Sequence, residues 1–322
     1  MPRTESENAV NRIAPALLSF IALLAGCQAQ PVAEPALPAN AMAATAHPVA
    51  TDVAREVLAQ GGNAADAAVA AGFALAVAEP SMSHLGGRIQ ILVRTADGRY
   101  AGYNGMTEVP SGYTAPEVPV SQGYGTIATP GVVAGLARLH AEHGSLPWAA
   151  LLEEPARMAR DGYALLPGAA ARHARGFEQF RDNPGFQQVF IEADGTPYDA
   201  GDVIRQPALA RTIERLAAAG ASDFYEGQIA RQIAADMAAN GGHVTAADLA
   251  AYEFLDGRYI TTRYRGFDIH TLAAPAGGGL FVKALNILEN FDLGTLTEAQ
   301  WAAVMNQALA LTINSMADDR AE

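Results

Sequence analysis

Apolar residues recur at helical spacing along most of the chain. Within 49–60, Val49, Val53, Val57 and Leu58 share one helical face, and Gly61-Gly62 stops the run. Asn63 stands where an N-cap belongs. The run that follows, AADAAVAAGFALAVA over 64–78, is apolar nearly all round with small side chains, which suits close burial against another layer. Asp66 in its first turn suits the positive end of the helix dipole. The stretch IQILVRT at 89–95 is β-rich but alternates poorly. Asp97-Gly98 makes a turn and RYAGYN returns, so the pair predicts a hairpin. Helix patterns follow over 131–144, opened by Pro130 and closed by Gly144, and over 146–162, where Pro155 predicts an interruption. Further helices are predicted near 207–219, 227–239 and 245–251, the last with Thr245 and Asp248 spaced as a capping box. RYRGFDIHTLAAP at 263–275 reads as one strand running into a Pro-Ala-Gly-Gly-Gly loop. A helix at 280–290 and another from near Thr297 complete the pattern. Helices dominate with a few strands between them, a layered α/β or α+β architecture.

Composition changes this picture in one place, the N-terminus. Arg3 and Arg12 precede an apolar run at 13–26, too short to span a bilayer and suited to a signal-peptide core. The run ends in Leu24-Ala25-Gly26-Cys27, which resembles the lipobox of bacterial lipoproteins. That resemblance implies lipidation of Cys27, export to the periplasm and, with Gln28 next, an outer-membrane anchor. The Pro- and Ala-rich segment after it reads as an extended tether. The expected organisation is therefore a signal peptide at 1–26, a tether at 27–40 and a globular portion at 41–322. Cys27 is the sole cysteine, so stability rests on packing without disulfides. Half of the residues are hydrophobic and 17% are charged, the profile of a chain with a sizeable core. A formal net charge of -13 argues against a nucleic-acid partner, which needs a basic face.

Generic catalytic motifs are missing. The sequence holds no G-x-S-x-G elbow, no P-loop and no G-x-G-x-x-G after a strand. His140 and His143, with Glu142 between them, sit at helical spacing, but no second motif supplies further metal ligands; a solvated helix face is expected. Ser83-His84 beside Gly86-Gly87 reads as a turn, and Thr261-Thr262 as ordinary strand residues. Read from its residues alone, the chain is an exported globular protein with no self-contained active site.

Several collinear blocks carry a resemblance. HPVATDVAREVLAQGGNAADAAVA, EPSMSHLGG, GYGTIATPGVVAGLARLHAEHGSLPW, EPARMARDGY, FYEGQIARQIAADMAANGGHVTAADLAAY, RYRGFDIHTLAAPAGGG and MADDRAE run in order over 41–322. Together they resemble the large subunit of γ-glutamyltransferases (γ-glutamyltranspeptidases). The resemblance implies an α+β Ntn-hydrolase fold, a four-layer αββα sandwich of which this chain holds the large-subunit part. It implies an autocleaving precursor whose nucleophile is the N-terminal Thr of the small subunit, expected beyond Glu322. No catalytic residue is then expected within this chain, and no metal or organic cofactor. The implied partners are a small subunit, from the same precursor or a separate chain, and a γ-glutamyl substrate such as glutathione. Without that subunit, an apolar face is expected to stand exposed.

The family holds the substrate carboxylate with an Arg in a D-F-R-E-x-A-P block. Here the corresponding stretch is YNGMTEVP at 103–110, which sets Met106 where that Arg stands, with Thr107 beside it. The family's glycine run also departs, becoming Gly86-Gly87-Arg88-Ile89-Gln90. Arg88, Met106 and Thr107 are therefore the expected substrate-binding positions, with Arg88 as a relocated cation. These departures leave two alternatives open: a related Ntn acylase taking a different acyl group, and a non-catalytic lipoprotein that keeps the scaffold for binding.

Overall fold

The computed structural model describes residues 40–318. The signal segment, Cys27 and the tether up to residue 39 lie outside the described residues. In chain order the elements are α1 (Pro48–Ala59), α2 (Ala64–Ala78), β1 (Ile89–Arg94), β2 (Tyr100–Gly105), α3 (Val132–His143), α4 (Trp148–Asp161), β3 (Tyr163–Ala164), α5 (Pro167–Phe180) and α6 (Pro184–Phe190). They continue with β4 (Val203–Ile204), α7 (Pro207–Ala219), α8 (Ser222–Tyr225), α9 (Gln228–Ala239), α10 (Ala246–Ala250), β5 (Leu255–Gly257), β6 (Tyr259–Tyr264), β7 (Phe267–Leu272), α11 (Gly278–Leu288) and α12 (Glu298–Asp318).

The core forms around α2. Asn63 caps it, accepting from the N–H groups of Ala65 and Asp66, while Asp66 accepts from the Asn63 N–H to close a capping box. Val69, Phe73 and Val77 are fully buried along it, so the all-round apolar run becomes an interior helix. Helices α1, α3 and α4 pack on it. Small side chains let these neighbours approach closely: a Cβ at Gly72 would run into Leu136 of α3. Beyond α4 lies α7, where Ile213 and Leu216 are fully buried. Full burial of each such side chain stabilises the fold by about 2 kcal/mol. Trp148 ties these layers together. Its indole N–H donates to the Leu216 carbonyl at 2.9 Å, and its ring meets Phe73 edge-on with centroids 5.6 Å apart.

The strands form small antiparallel sheets of order β1-β2-β5, β3-β4 and β6-β7. Ile89 lies opposite Gly105 and Arg94 opposite Tyr100, so the hairpin predicted around Asp97-Gly98 is present. Three sequence expectations change. Helix α4 runs unbroken through Pro155, because Leu151, Leu152, Ala156 and Met158 remain buried on either side of it. Stretch 263–275 is not one strand: Arg265 and Gly266, with φ of 48° and 83°, turn the chain between β6 and β7. Helices α5 and α6 were not predicted; of α5 only Ala169 and His173 are buried. The whole is an α+β arrangement.

Exposed apolar side chains occur along the chain, among them Val109, Val118 and Val120 between β2 and α3, and a further set on the C-terminal elements. Phe267 on β7, Phe281 on α11, and Trp301, Leu311 and Ile313 on α12 all face outward. No helix among the described residues is long and apolar enough to cross a membrane.

Candidate functional site

Two connecting segments meet in front of the β1-β2 hairpin. One, 79–88, leads from α2 into β1; the other, 106–131, leads from β2 into α3. Gly87 joins them, its carbonyl accepting from the N–H of Gly131 at 2.9 Å and of Val132 at 3.3 Å. Gly131 has to be glycine, since a Cβ there would collide with Tyr252 Oη and with the Gly105 carbonyl.

Two tyrosines hold both ends of the longer segment. Tyr252 Oη donates to the Met106 carbonyl at 2.8 Å. Tyr225 Oη donates to the Pro130 carbonyl at 2.9 Å and accepts from the Ala134 N–H at 3.1 Å. Their rings stack with centroids 5.4 Å apart. Burial, with the Glu108 carboxylate adding to it, pushes the Tyr252 phenol up to about 12, so it stays a donor at neutral pH. Burial raises Tyr225 as well. The segment also zips to itself through paired bonds between Glu108 and Thr129, at 3.0 and 2.8 Å. Farther out, Ser111 donates through both N and Oγ to Asp248 Oδ1, and Tyr124 Oη donates to Asp236. Hydrogen bonds from Thr245 and Ser111 hold the Asp248 carboxyl well below the usual carboxylate range.

Behind these segments lies a cavity of about 990 Å³. Leu75, Leu136, Leu209, Phe224, Ile229 and Ile233 give it apolar walls. Arg88 and Thr107 both line it, so the structure brings these two predicted positions to one place. Arg88 is exposed and forms no ion pair among the described residues. A guanidinium in that state can grip a carboxylate through two parallel N–H bonds. Met106 is half-buried and does not line the cavity; its part is the carbonyl that Tyr252 holds.

Ser83 and His84 line the same cavity but share no hydrogen bond; Met82 and Ser83 instead donate their N–H groups to the Glu79 carbonyl, closing the expected turn. His140 and His143 do not form a solvated face. His140 Nε2 meets the Leu146 carbonyl at 2.8 Å, and His143 Nε2 meets Tyr103 Oη at 2.6 Å. Tyr103 gives its one proton to Glu142 Oε2 at 2.5 Å, so His143 Nε2 donates to the phenol. Burial and Glu142 push that phenol to about 12. Among the described residues no group of His, Cys, Asp or Glu is placed to hold a metal. Sequence reasoning missed the tyrosine clamps and the aspartate pins, whose partners lie between 91 and 146 residues away.

Comparison with known proteins gives one consistent result. The family described as Gamma-glutamyltranspeptidase matches residues 50–322. The glutathione hydrolase proenzyme of Escherichia coli (strain K12) is 35% identical over 265 residues, covering 78% of this chain and 45% of the relative. The acylase ACY 1 proenzyme of Pseudomonas sp. (strain SE83) is 32% identical over 297 residues, covering 87% of this chain and 53% of the relative. The chain thus spans about half the length of the curated relatives it matches. Among solved structures, γ-glutamyltranspeptidase of Helicobacter pylori superposes with a TM-score of 0.81 at 30% identity, covering 85% of this chain and 82% of that one. The α+β arrangement described above is accordingly that of the Ntn-hydrolase γ-glutamyltranspeptidases.

Proposed function

The chain belongs to the γ-glutamyltranspeptidase family, and from that premise we propose that it is the large-subunit portion of an enzyme acting on γ-glutamyl amides such as glutathione. The nucleophile in this reading is the N-terminal Thr of a small-subunit partner. Its hydroxyl attacks the γ-carbonyl while its own α-amine takes the proton. The amide C–N bond breaks, the leaving amine takes that proton, and a γ-glutamyl ester remains on the Thr. Water or an acceptor amine then opens the ester. Relatives named as proenzymes support such a partner, as do the outward-facing aromatic and aliphatic residues of β7, α11 and α12. The reading includes export with a lipid anchor at Cys27, supported by the apolar run and lipobox-like end before it.

This chain's own part is to bind the acyl donor. The carrying observation is an exposed Arg88 guanidinium, without an ion-pair partner among the described residues, on the lining of an apolar cavity that also includes Thr107. Arg88 takes the donor carboxylate and the Thr107 hydroxyl supplies a further hydrogen bond. In the full-length precursor, Arg88→Ala raises KM for a γ-glutamyl anilide by about tenfold or more, the equivalent of ~1.4 kcal/mol, with kcat little changed. An unchanged KM refutes the role of Arg88.

A second reading, an Ntn acylase with a different acyl group, is favoured by Met106 in place of the expected Arg and by the apolar cavity walls. A similarity to a protein named as an acylase supports it too. Turnover of glutaryl or other acyl amides, with none of the γ-glutamyl anilide, selects this reading over the first.

A further inference from the structure

Away from the cavity, the start of α1, the end of α2, β3 and α5 meet around Glu79. Glu79 is buried, and its carboxylate pairs with Arg172 Nη2 at 2.5 Å. Buried beside this pair are His47, Tyr163 and His173, each within electrostatic reach of the Glu79 carboxylate. The His47 and Tyr163 rings stand edge-on, 6.0 Å apart. His47 Nε2, Tyr163 Oη, His173 Nδ1 and Arg172 Nε are all buried with no hydrogen-bond partner. The only other side-chain atom in that condition among the described residues is His270 Nδ1. Native folds satisfy nearly all their buried polar atoms, so four orphans at one place point to a hydrogen-bonding guest.

Donor and acceptor chemistry selects the guest. His47 Nδ1 accepts the Val49 N–H at 3.2 Å, so the ring proton sits on Nε2, which can only donate. Arg172 Nε also only donates. Tyr163 Oη and His173 Nδ1 can do either. The guest must therefore accept at least two hydrogen bonds, which excludes a metal cation. An anion has no net charge to meet: Glu79 and Arg172 cancel, and burial lowers both histidines toward their neutral forms. Water has two lone pairs for His47 and Arg172 and two protons for Tyr163 and His173, the usual complement of an interior water.

We propose that these side chains form a closed hydration site, in which one or two ordered waters bridge His47 Nε2 and Arg172 Nε to Tyr163 Oη and His173 Nδ1. The site fastens the histidine that caps α1 to the carboxylate that ends α2. Arg172, one-third exposed, stands between it and solvent.

Tyr163→Phe in the full-length protein separates a hydrated site from a dry one by the sign of its effect. In a dry site the change removes an orphan hydroxyl and raises Tm. In a hydrated site it removes a satisfied one and lowers Tm by about 2–4 °C for a domain of this size. A high-resolution crystal structure supplies the second measurement. Water density within hydrogen-bonding distance of His47 Nε2 and Arg172 Nε, with a lowered Tm, carries the proposal. An unchanged or raised Tm, an ion at the site, or no density there overturns it.

Discussion

Asp66→Ala is the sharpest test of how the cavity wall is held. Asp66 is fully buried, and its carboxylate accepts from Asn63 N at 2.9 Å, Ser145 N at 2.9 Å, Ser145 Oγ at 2.6 Å and Leu146 N at 3.2 Å. It thus fixes both the start of α2 and the α3–α4 connection, and α2 and α3 supply Leu75 and Leu136 to the cavity. Truncation strips three backbone N–H groups of an ionised acceptor. At about 1–2 kcal/mol for each, because the connection lies near solvent, the loss is ~4 kcal/mol. In a chain of this size that lowers Tm by about 10 °C. The assay is a urea or thermal melt at pH 7. Asp66→Asn keeps one accepting oxygen and loses about half as much. A loss for Asp66→Ala within ~0.5 kcal/mol, that of an ordinary surface substitution, refutes the reasoning. The pH dependence adds a second check. Burial acts to raise the Asp66 pKa, but the bonds from Ser145, Asn63 and Leu146 outweigh it, and the folded value lies below the ordinary 3.8. Between the two values the unfolded chain binds more protons, so stability rises with pH there. That ionisation-linked part is present above the unfolded value and fades as pH falls through the folded value, so the gap between wild type and variant narrows there.

Gly131→Ala drives a Cβ into Tyr252 Oη and the Gly105 carbonyl, and the second of these is backbone that cannot step aside. A loss of about 3 kcal/mol follows in a urea melt, and a wild-type midpoint rejects the assignment of a tight seam at Gly87 and Gly131. Asp223→Ala removes a bidentate pair with Arg215, both bonds at 2.6 Å, and the acceptor for the first N–H groups of α9 at Gln228 and Ile229. Because Arg215 is partly exposed, the expected loss is about 2–3 kcal/mol, read as a lowered Tm; a shift within error discards the proposed anchoring of α9.

Local chemistry was legible in the sequence where one short stretch carries the whole signal. The capping box of Thr245 with Asp248 and the N-cap at Asn63 are present as spaced, and the all-round apolar run at 64–78 is interior; that Asp66 closes a second box with Asn63 is the structure's addition. Asp97-Gly98 announced its hairpin because that pair favours the turn. Arg265-Gly266 did not, since arginine is an unusual occupant of a left-handed position. Pro155 misled because burial on both sides of it outweighs a helix penalty of about 3 kcal/mol. The site was legible only in part. Arg88 and Thr107 reach one cavity, as adjacent loops permit, but the tyrosine clamps and the Glu79 cluster join residues far apart in sequence. Glu79 and Arg172 are 93 positions apart, and no periodicity links them.

Trp148 gives the molecule an optical consequence. The chain has two tryptophans, and they differ in surroundings. Trp148 is half-buried between Phe73 and His140 with its N–H bound to the Leu216 carbonyl, whereas Trp301 on α12 is 46% exposed. A neutral collisional quencher therefore extinguishes the Trp301 emission first. The residual fluorescence then reports the junction of α2, α4 and α7 alone, without a label, and the quenched fraction reports whether α12 is covered.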